Sequence, residues 1–140
     1  MKFSPTVACA LISIVLAAGS AYACAVPKPF FSELFEADAI IRGTLTDYEV
    51  SKPGDEARLT IENPETLKGN VQNGPLPLHW KRKELPDQWE GSHDVIVALK
   101  LKPSADGEEY EVMNGCGVQA IYETDKYREL VMDIIRRSAR

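Results

Sequence analysis

The stretch DVIVALKLK, residues 94–102, is the clearest strand signal in the chain. Its apolar side chains fall on both faces of a strand, with Val95, Val97, Leu99 and Leu101 on one face and Ile96 and Ala98 on the other. A strand that is apolar on both faces is typical of the inside of a sheet rather than its edge. The stretch therefore predicts a central strand around which the domain is arranged.

Further strand signals lie on both sides of this segment. The turn sequence PSADG at residues 103–107 leads to a strand over residues 109–113. On the other side, residues 39–50 and 58–62 alternate around a Pro-Gly turn and predict a hairpin, in which Gly43 favours a bulge or bend.

A last strand signal comes from Leu76, Leu78 and Trp80, which alternate with polar or proline residues. Pro75 and Pro77 lack amide donors, which favours an edge or irregular strand. Residues 63–70 and 81–93 have the composition of loops.

Five short strands with hairpin turns predict a mainly β fold with flanking helices, a five-stranded Greek-key barrel of the OB-fold type. A short helix is expected within residues 29–37, with Phe30, Phe31, Leu34 and Phe35 turned into the core. A C-terminal amphipathic helix is expected to begin with Thr124 as its N-cap. The apolar stripe of this helix consists of Tyr127, Leu130, Val131, Ile134 and Ile135.

The first 23 residues have the parts of a secretory signal peptide. Lys2 is followed by an apolar stretch over residues 7–18, and Ala21 and Ala23 occupy the −3 and −1 positions of a cut before Cys24. A helix of about twelve residues rises only about 18 Å, short of the roughly 30 Å of a bilayer core. We therefore expect a secreted or periplasmic protein with a single domain over residues 24–140.

The charge of the chain argues against nucleic acid as a partner. The formal net charge is −5, and removing Lys2 with the signal makes it more negative. The two histidines, His79 and His93, lie near carboxylates and are the weak candidates for a metal site, but their spacing does not define one. No intrinsic metal, cofactor or catalytic activity is expected.

Cysteine usage predicts one disulfide. Cys9 lies in the signal, so Cys24 and Cys116 are the pair that remains in an exported chain. Glycines on both sides of Cys116 allow the close backbone approach that a disulfide needs. Closing a loop of roughly 93 residues would stabilise the fold by about 4–5 kcal/mol.

The sequence CAVPKP at residues 24–29 is followed by DAIIRG at 38–43 and LKG at 67–69. Together with the order of the last strands before Cys116, these motifs resemble the tissue inhibitors of metalloproteinases and the wider netrin-like family. The resemblance implies an OB-fold barrel with helices packed alongside. It also implies that the α-amine and carbonyl of Cys24 chelate the zinc of a target protease, with Ala25 entering the adjacent pocket and Val26 and Pro27 as flanking contacts.

The chain also departs from that family's pattern. The family begins with Cys-x-Cys, each cysteine bridged separately, whereas here Cys24 stands alone and Cys116 matches the partner of the second family cysteine. Cys24 is then the structural half of a disulfide, with or without a chelating role.

Three functions follow from these features. The first is a non-catalytic exported binding module with a protein partner, for which Trp89, in a polar loop, is the predicted exposed contact. The alternative is an inhibitor that binds a zinc metalloprotease through Cys24. The third is a lipoprotein anchored at Cys24, the only case in which a membrane is involved.

Overall fold

The computed structural model describes residues 31–52, 54–114 and 120–140. These residues form a mainly β domain with one short and one longer helix, which confirms the predicted fold class. The elements in chain order are α1 (Ser32–Glu36), β1 (Ala39–Lys52), β2 (Glu56–Lys68), β3 (Leu76–Lys81), β4 (Asp94–Ser104), β5 (Gly107–Val112), β6 (Ile121–Glu123) and α2 (Thr124–Ser138).

The sheet closes into a five-stranded barrel in the order β1-β2-β3-β5-β4, with β4 pairing back to β1. Neighbouring strands are antiparallel except β3 and β5, which run parallel and meet at His79 and Glu111. This is an OB-fold-like barrel, as the sequence predicts. The sixth strand, β6, was not predicted because three residues are too few to show alternation.

The central position predicted for β4 is confirmed. Its first half pairs with β1 along one edge and with β6 along the other, and its second half pairs with β5. Val95, Val97 and Leu99 belong to the core inside the barrel. Ile96 and Ala98 belong to a second core between the barrel and the helices. Both faces of β4 are apolar because each one is buried in a different core.

The bend in the β1–β2 hairpin is centred on Gly43. The register shifts there, so that Asn63 and Pro64 stand opposite Gly43, and Asn63 takes a positive φ of 49°. A Cβ atom on Gly43 would lie 2.4 Å from Ile61 Cγ2. The bulge lets β2 continue to Lys68, so the prediction of a loop from residue 63 is wrong for residues 63–68.

Helix α1 is shorter and turned differently than predicted. Leu34 is fully buried, but Phe35 is 53% exposed, so its predicted place in the core is wrong. Phe31 is buried as expected, yet it precedes the helix in a left-handed conformation with a φ of 67°. Phe31 lies outside the helix and so is not part of its buried face. Within the helix, the buried residues are Glu33 and Leu34, and Phe35 is not among them.

Helix α2 buries Val131 and Ile134 against the second core, whereas Leu130 is 43% exposed. The predicted N-cap at Thr124 is wrong. Strand β6 runs directly into the helix, so Glu123 occupies the N-cap position without a side-chain cap bond. Thr124 is the first helical residue, and its hydroxyl donates to Asp94 Oδ1 at 2.8 Å.

Candidate functional site

Several predicted site residues lie outside the described part of the chain. They are the two cysteines of the predicted disulfide, Cys24 and Cys116, the predicted contacts Ala25, Val26 and Pro27, and the signal peptide. Trp89, His79 and His93 lie within the described part of the chain.

Trp89 lies at one end of the barrel and is half-buried. Its ring centroid is 5.9 Å from that of Tyr48 and 6.4 Å from that of Trp80. The indole nitrogen donates to the carbonyl oxygen of Ser92 at 3.0 Å. Trp89 thus packs on the end of the barrel core, and only part of its ring is open to solvent.

The loop that carries Trp89 is tied to β1 at two points. The Tyr48 hydroxyl donates to the carbonyl oxygen of Pro86 at 2.7 Å. At the end of the loop, Leu45 N–H donates to the carbonyl oxygen of His93, and His93 Nδ1 lies 2.9 Å from the Leu45 carbonyl oxygen. The loop is therefore held against β1 at Leu45 and Tyr48, and His93 makes the contact at the end of the loop.

His79 lies on the outer surface of β3, because the alternation that buries Leu78 and Trp80 turns it outward. Its Nδ1 is 3.4 Å from Glu56 Oε1 on β2, and its Nε2 is 3.4 Å from Glu109 Oε1 on β5. The imidazole of His79 therefore lies between two carboxylates, with one ring nitrogen near each of them.

Glu111 is the second centre of this outer surface. Its side chain is only 12% exposed, and it accepts a hydrogen bond from Lys102 Nζ on β4. Lys81 Nζ on β3 lies 3.8 Å from the same carboxylate oxygen. We call this surface of alternating charge the ionic face; it consists of Glu56, His79, Lys81, Lys102, Glu109 and Glu111.

A shallow depression of about 220 Å³ adjoins the ionic face. Its lining includes Gln72, Pro77 and Tyr110 together with the carboxylates of Asp106, Glu108 and Glu109. Gln72 N–H donates to the Tyr110 hydroxyl at 3.4 Å, which holds the loop after β2 beside β5. The acidic rim suits a cationic or hydrogen-bond-donating side chain.

The barrel interior is filled by side chains from all five barrel strands, among them Leu45, Leu59, Leu78, Leu99 and Val112. In a small barrel such packing leaves the outer surface and the loops as the places for a ligand. In the part of the chain that the structure describes, no group of three or more His, Cys, Asp or Glu side chains is placed to hold a metal ion.

Two ion-paired carboxylates support the barrel away from the ionic face. Hydrogen bonds from the Arg42 guanidinium hold the pKa of Asp94 below its ordinary value; partial burial opposes this shift, and Thr124 reinforces it. The hydrogen bond from the backbone N–H of Leu101 lowers the pKa of Asp38 below its ordinary value. Partial burial opposes this shift, and Lys100 reinforces it. These groups join β1, β4 and α2, so their role is to hold the scaffold of the site.

Sequence reasoning identified only His79 of the ionic face. The alternation in β3 shows that His79 and Lys81 share a side, and the same argument applies to Glu109 and Glu111 in β5. That the two pairs meet depends on the parallel contact between β3 and β5, whose partners His79 and Glu111 are far apart in sequence. Local patterns carry no information about that contact.

Comparisons with protein families, with curated proteins and with solved structures find no match to this chain. Neither helix in the described ranges is long and apolar enough to cross a membrane.

Proposed function

We propose that this chain is an exported, non-catalytic binding module that docks a protein partner on its ionic face. One observation carries the proposal: charges of both signs are held in a defined pattern by four strands of the barrel, beside a shallow depression. The partner that fits is a protein surface with a complementary pattern of charge.

The position of the ionic face on the barrel supports binding. OB-fold barrels bind their ligands on the outer surface around strands 2 and 3 and on adjacent loops. Here that surface holds Glu56 on β2 and His79 and Lys81 on β3, and it continues onto β5 and β4. Side chains that already stand in a fixed pattern on a sheet lose little further entropy on binding.

The mixture of charges favours a protein over a nucleic acid. The ionic face has three carboxylates against two lysines and one histidine, and the acidic rim of the depression adds more negative charge. A phosphate backbone needs a surplus of cations, whereas mixed charges set register and partner choice between proteins. The carboxylates are engaged by neighbouring cations or by His79, which suits recognition better than proton transfer.

A cross-linking experiment tests this proposal. A photoreactive amino acid replaces the exposed Pro77, which lines the depression, and a control chain carries it at the exposed Glu129 on α2. We expect a discrete cross-linked product in the producing cell from position 77 and none of the same mass from position 129.

Charge reversal completes that test. Lys81→Glu should lower the yield of the product by about tenfold, equivalent to about 1.4 kcal/mol of binding, while Arg136→Glu on α2 leaves it unchanged. Circular dichroism confirms that both variants are folded. Equal products from positions 77 and 129, or equal yields from the two reversals, would exclude the ionic face as the docking surface.

The inhibitor and lipoprotein hypotheses rest on Cys24 and are tested separately. The intact mass of the exported protein, with and without reductant, distinguishes a disulfide, which gains two hydrogens on reduction, from a diacylglycerol adduct. Inhibition of zinc proteases is then measured for the processed protein and for a form with an extra Ala before Cys24. Equal inhibition by the two forms would rule out zinc chelation by the terminal amine.

A further inference from the structure

The loop between β2 and β3 contains the dipeptide Asn73-Gly74. Both residues are exposed and belong to neither strand. The chain is fixed just before and just after them. Gln72 N–H donates to the hydroxyl of the buried Tyr110 at 3.4 Å, and Leu76 begins β3 with its side chain in the barrel core. Asn73 and Gly74 therefore lie between two anchored points of the loop.

No contact in the described ranges holds the polar groups of this dipeptide. The side-chain amide of Asn73 and the backbone N–H of Gly74 make no hydrogen bond there. Gly74 has a positive φ of 96°, and no atom from elsewhere in the described chain lies within 4 Å of the position that a Cβ would occupy. The loop thus leaves room for the Gly74 nitrogen to approach the Asn73 side chain.

Such an approach permits a known reaction of asparagine. The Gly74 nitrogen attacks Asn73 Cγ and forms a new bond to it. The bond from Cγ to the side-chain nitrogen breaks, and that nitrogen takes up the proton of the Gly74 N–H and leaves as ammonia. Water then adds to either carbonyl of the resulting succinimide ring and opens it, which leaves aspartate or isoaspartate at position 73. Glycine favours the attack because it has no Cβ to crowd the nitrogen.

Two other asparagines of the chain lack these conditions. Asn63 precedes Pro64, whose ring nitrogen carries no hydrogen to lose. Asn70 precedes Val71, which is β-branched and packs against the barrel core, so its nitrogen is crowded and its backbone is held. Among these three positions, only Asn73 combines an exposed side chain, a following glycine and free space.

We propose that Asn73 is a modification site, at which the chain itself forms a succinimide with Gly74 and converts asparagine to aspartate and isoaspartate. The new carboxylate lies next to Gln72, which lines the depression together with Asp106 and Glu108. Conversion therefore adds negative charge beside the acidic rim, and isoaspartate also lengthens the backbone between Gln72 and β3. The reaction needs only water and the loop, so this proposal stands or falls separately from docking on the ionic face.

Ageing of the purified, folded protein tests the proposal. The protein is incubated in mildly alkaline buffer, which favours attack by the backbone nitrogen, and samples are analysed by peptide mass spectrometry. Isoaspartate is identified by its methylation with an isoaspartyl methyltransferase. The tryptic peptide over residues 69–81 contains both Asn70 and Asn73, so one peptide compares them. We expect isoaspartate and aspartate to accumulate at position 73, and Asn70 to react at least about tenfold more slowly.

A variant tests whether Gly74 is the cause. Gly74→Ala places a methyl group beside the attacking nitrogen and should slow the reaction of Asn73 by at least about tenfold. The matched control is Gly54→Ala, at a turn glycine whose φ of 84° is also positive, and it should leave the rate at Asn73 unchanged. Circular dichroism confirms that both variants are folded. The rate in wild-type protein unfolded by urea provides the reference for the folded chain.

Four results would overturn the proposal, and three of them need no variant. The first is that isoaspartate forms at position 73 in unfolded protein but not in folded protein, because the fold then prevents the attack. The second is aspartate without isoaspartate at position 73, which indicates direct hydrolysis of the amide. The third is a modification confined to Asn70 or Asn114. The fourth is an unchanged rate at Asn73 in a folded Gly74→Ala variant.

Discussion

Arg42 on β1 and Asp94 on β4 are joined by two parallel hydrogen bonds, from Nε to Oδ1 at 3.2 Å and from Nη2 to Oδ2 at 2.8 Å. Asp94 Oδ1 also accepts the hydrogen bond from Thr124 at the start of α2. Asp94 thus connects the strand pair that closes the barrel with the helix that covers it. Two-point contacts of this kind combine charge with defined geometry.

The Asp94 contact predicts an acid-dependent loss of stability. Because the folded-state pKa of Asp94 lies below its unfolded value, the ionised group stabilises the fold above the unfolded pKa. That contribution is lost as the pH falls below about 4 and through the folded pKa. The unfolding free energy of the wild type, measured with urea between pH 7 and pH 2, should fall over this range. The unfolding free energy of Asp94→Asn should fall by less. Asp106→Asn, in the exposed β4–β5 turn, is the control; identical pH profiles for wild type and Asp94→Asn would contradict the prediction.

The hydroxyl of Thr124 should matter more than a surface threonine. Thr124→Val keeps the shape of a buried side chain but removes the donor to Asp94, which we expect to cost about 1 kcal/mol of unfolding free energy. Chemical denaturation at neutral pH measures it. Thr66→Val, on the exposed part of β2, should change stability by less than about 0.5 kcal/mol. Equal effects at the two positions would argue against the Asp94 contact.

Gly43 should not accept any side chain. A Cβ atom there would lie 2.4 Å from Ile61 Cγ2 and 2.7 Å from the Glu62 carbonyl oxygen, so β1 and β2 must separate at the bend. Overpacking of this kind costs about 1–3 kcal/mol, and we expect Gly43→Ala to lower the unfolding free energy by that amount. Thr44→Ala, at the next and exposed position, is the control for the change of strand composition. A Gly43→Ala variant as stable as wild type would show that the bend relaxes freely.

Leu34 and Phe35 should respond in opposite ways to truncation although they are adjacent and both apolar. Leu34 is fully buried, so Leu34→Ala should cost about 2–5 kcal/mol. Phe35 is mostly exposed, so Phe35→Ala should cost less than about 1 kcal/mol. Thermal unfolding of the two variants compares them directly. A larger loss for Phe35→Ala would mean that α1 is turned as the sequence pattern predicts.

The two tryptophans should differ in fluorescence. Trp80 is buried in the barrel core and Trp89 is half-buried at its end. Trp89→Phe leaves Trp80, whose emission should be blue-shifted and poorly quenched by iodide. Trp80→Phe leaves Trp89, whose emission should lie at longer wavelength with several-fold stronger quenching. Equal quenching of the two would contradict the position of Trp89 at the end of the barrel.

The sequence by itself determined the central strand, the mainly β class and the C-terminal helix. Alternation in β4 and the three-and-four spacing of Tyr127, Val131 and Ile134 are local properties of consecutive residues. They show which side chains share a face, and the burial of Val131 and Ile134 confirms this for α2, although Leu130 of the predicted stripe is 43% exposed. The prediction of Gly43 as a bend is confirmed for the same reason, since glycine interrupts a local pattern.

Only the tertiary structure decided how those faces meet. Arg42 and Asp94 are 52 residues apart, and their contact depends on the register between β1 and β4. Strand β2 also continues beyond Pro64 because it pairs with β1 as far as Lys68. The rotation of α1 that buries Glu33 depends on packing against the second core. Strand register and helix rotation depend on how much apolar surface the whole domain buries. One turn of helix or one pair of strands gains too little free energy by itself to fix its register or orientation.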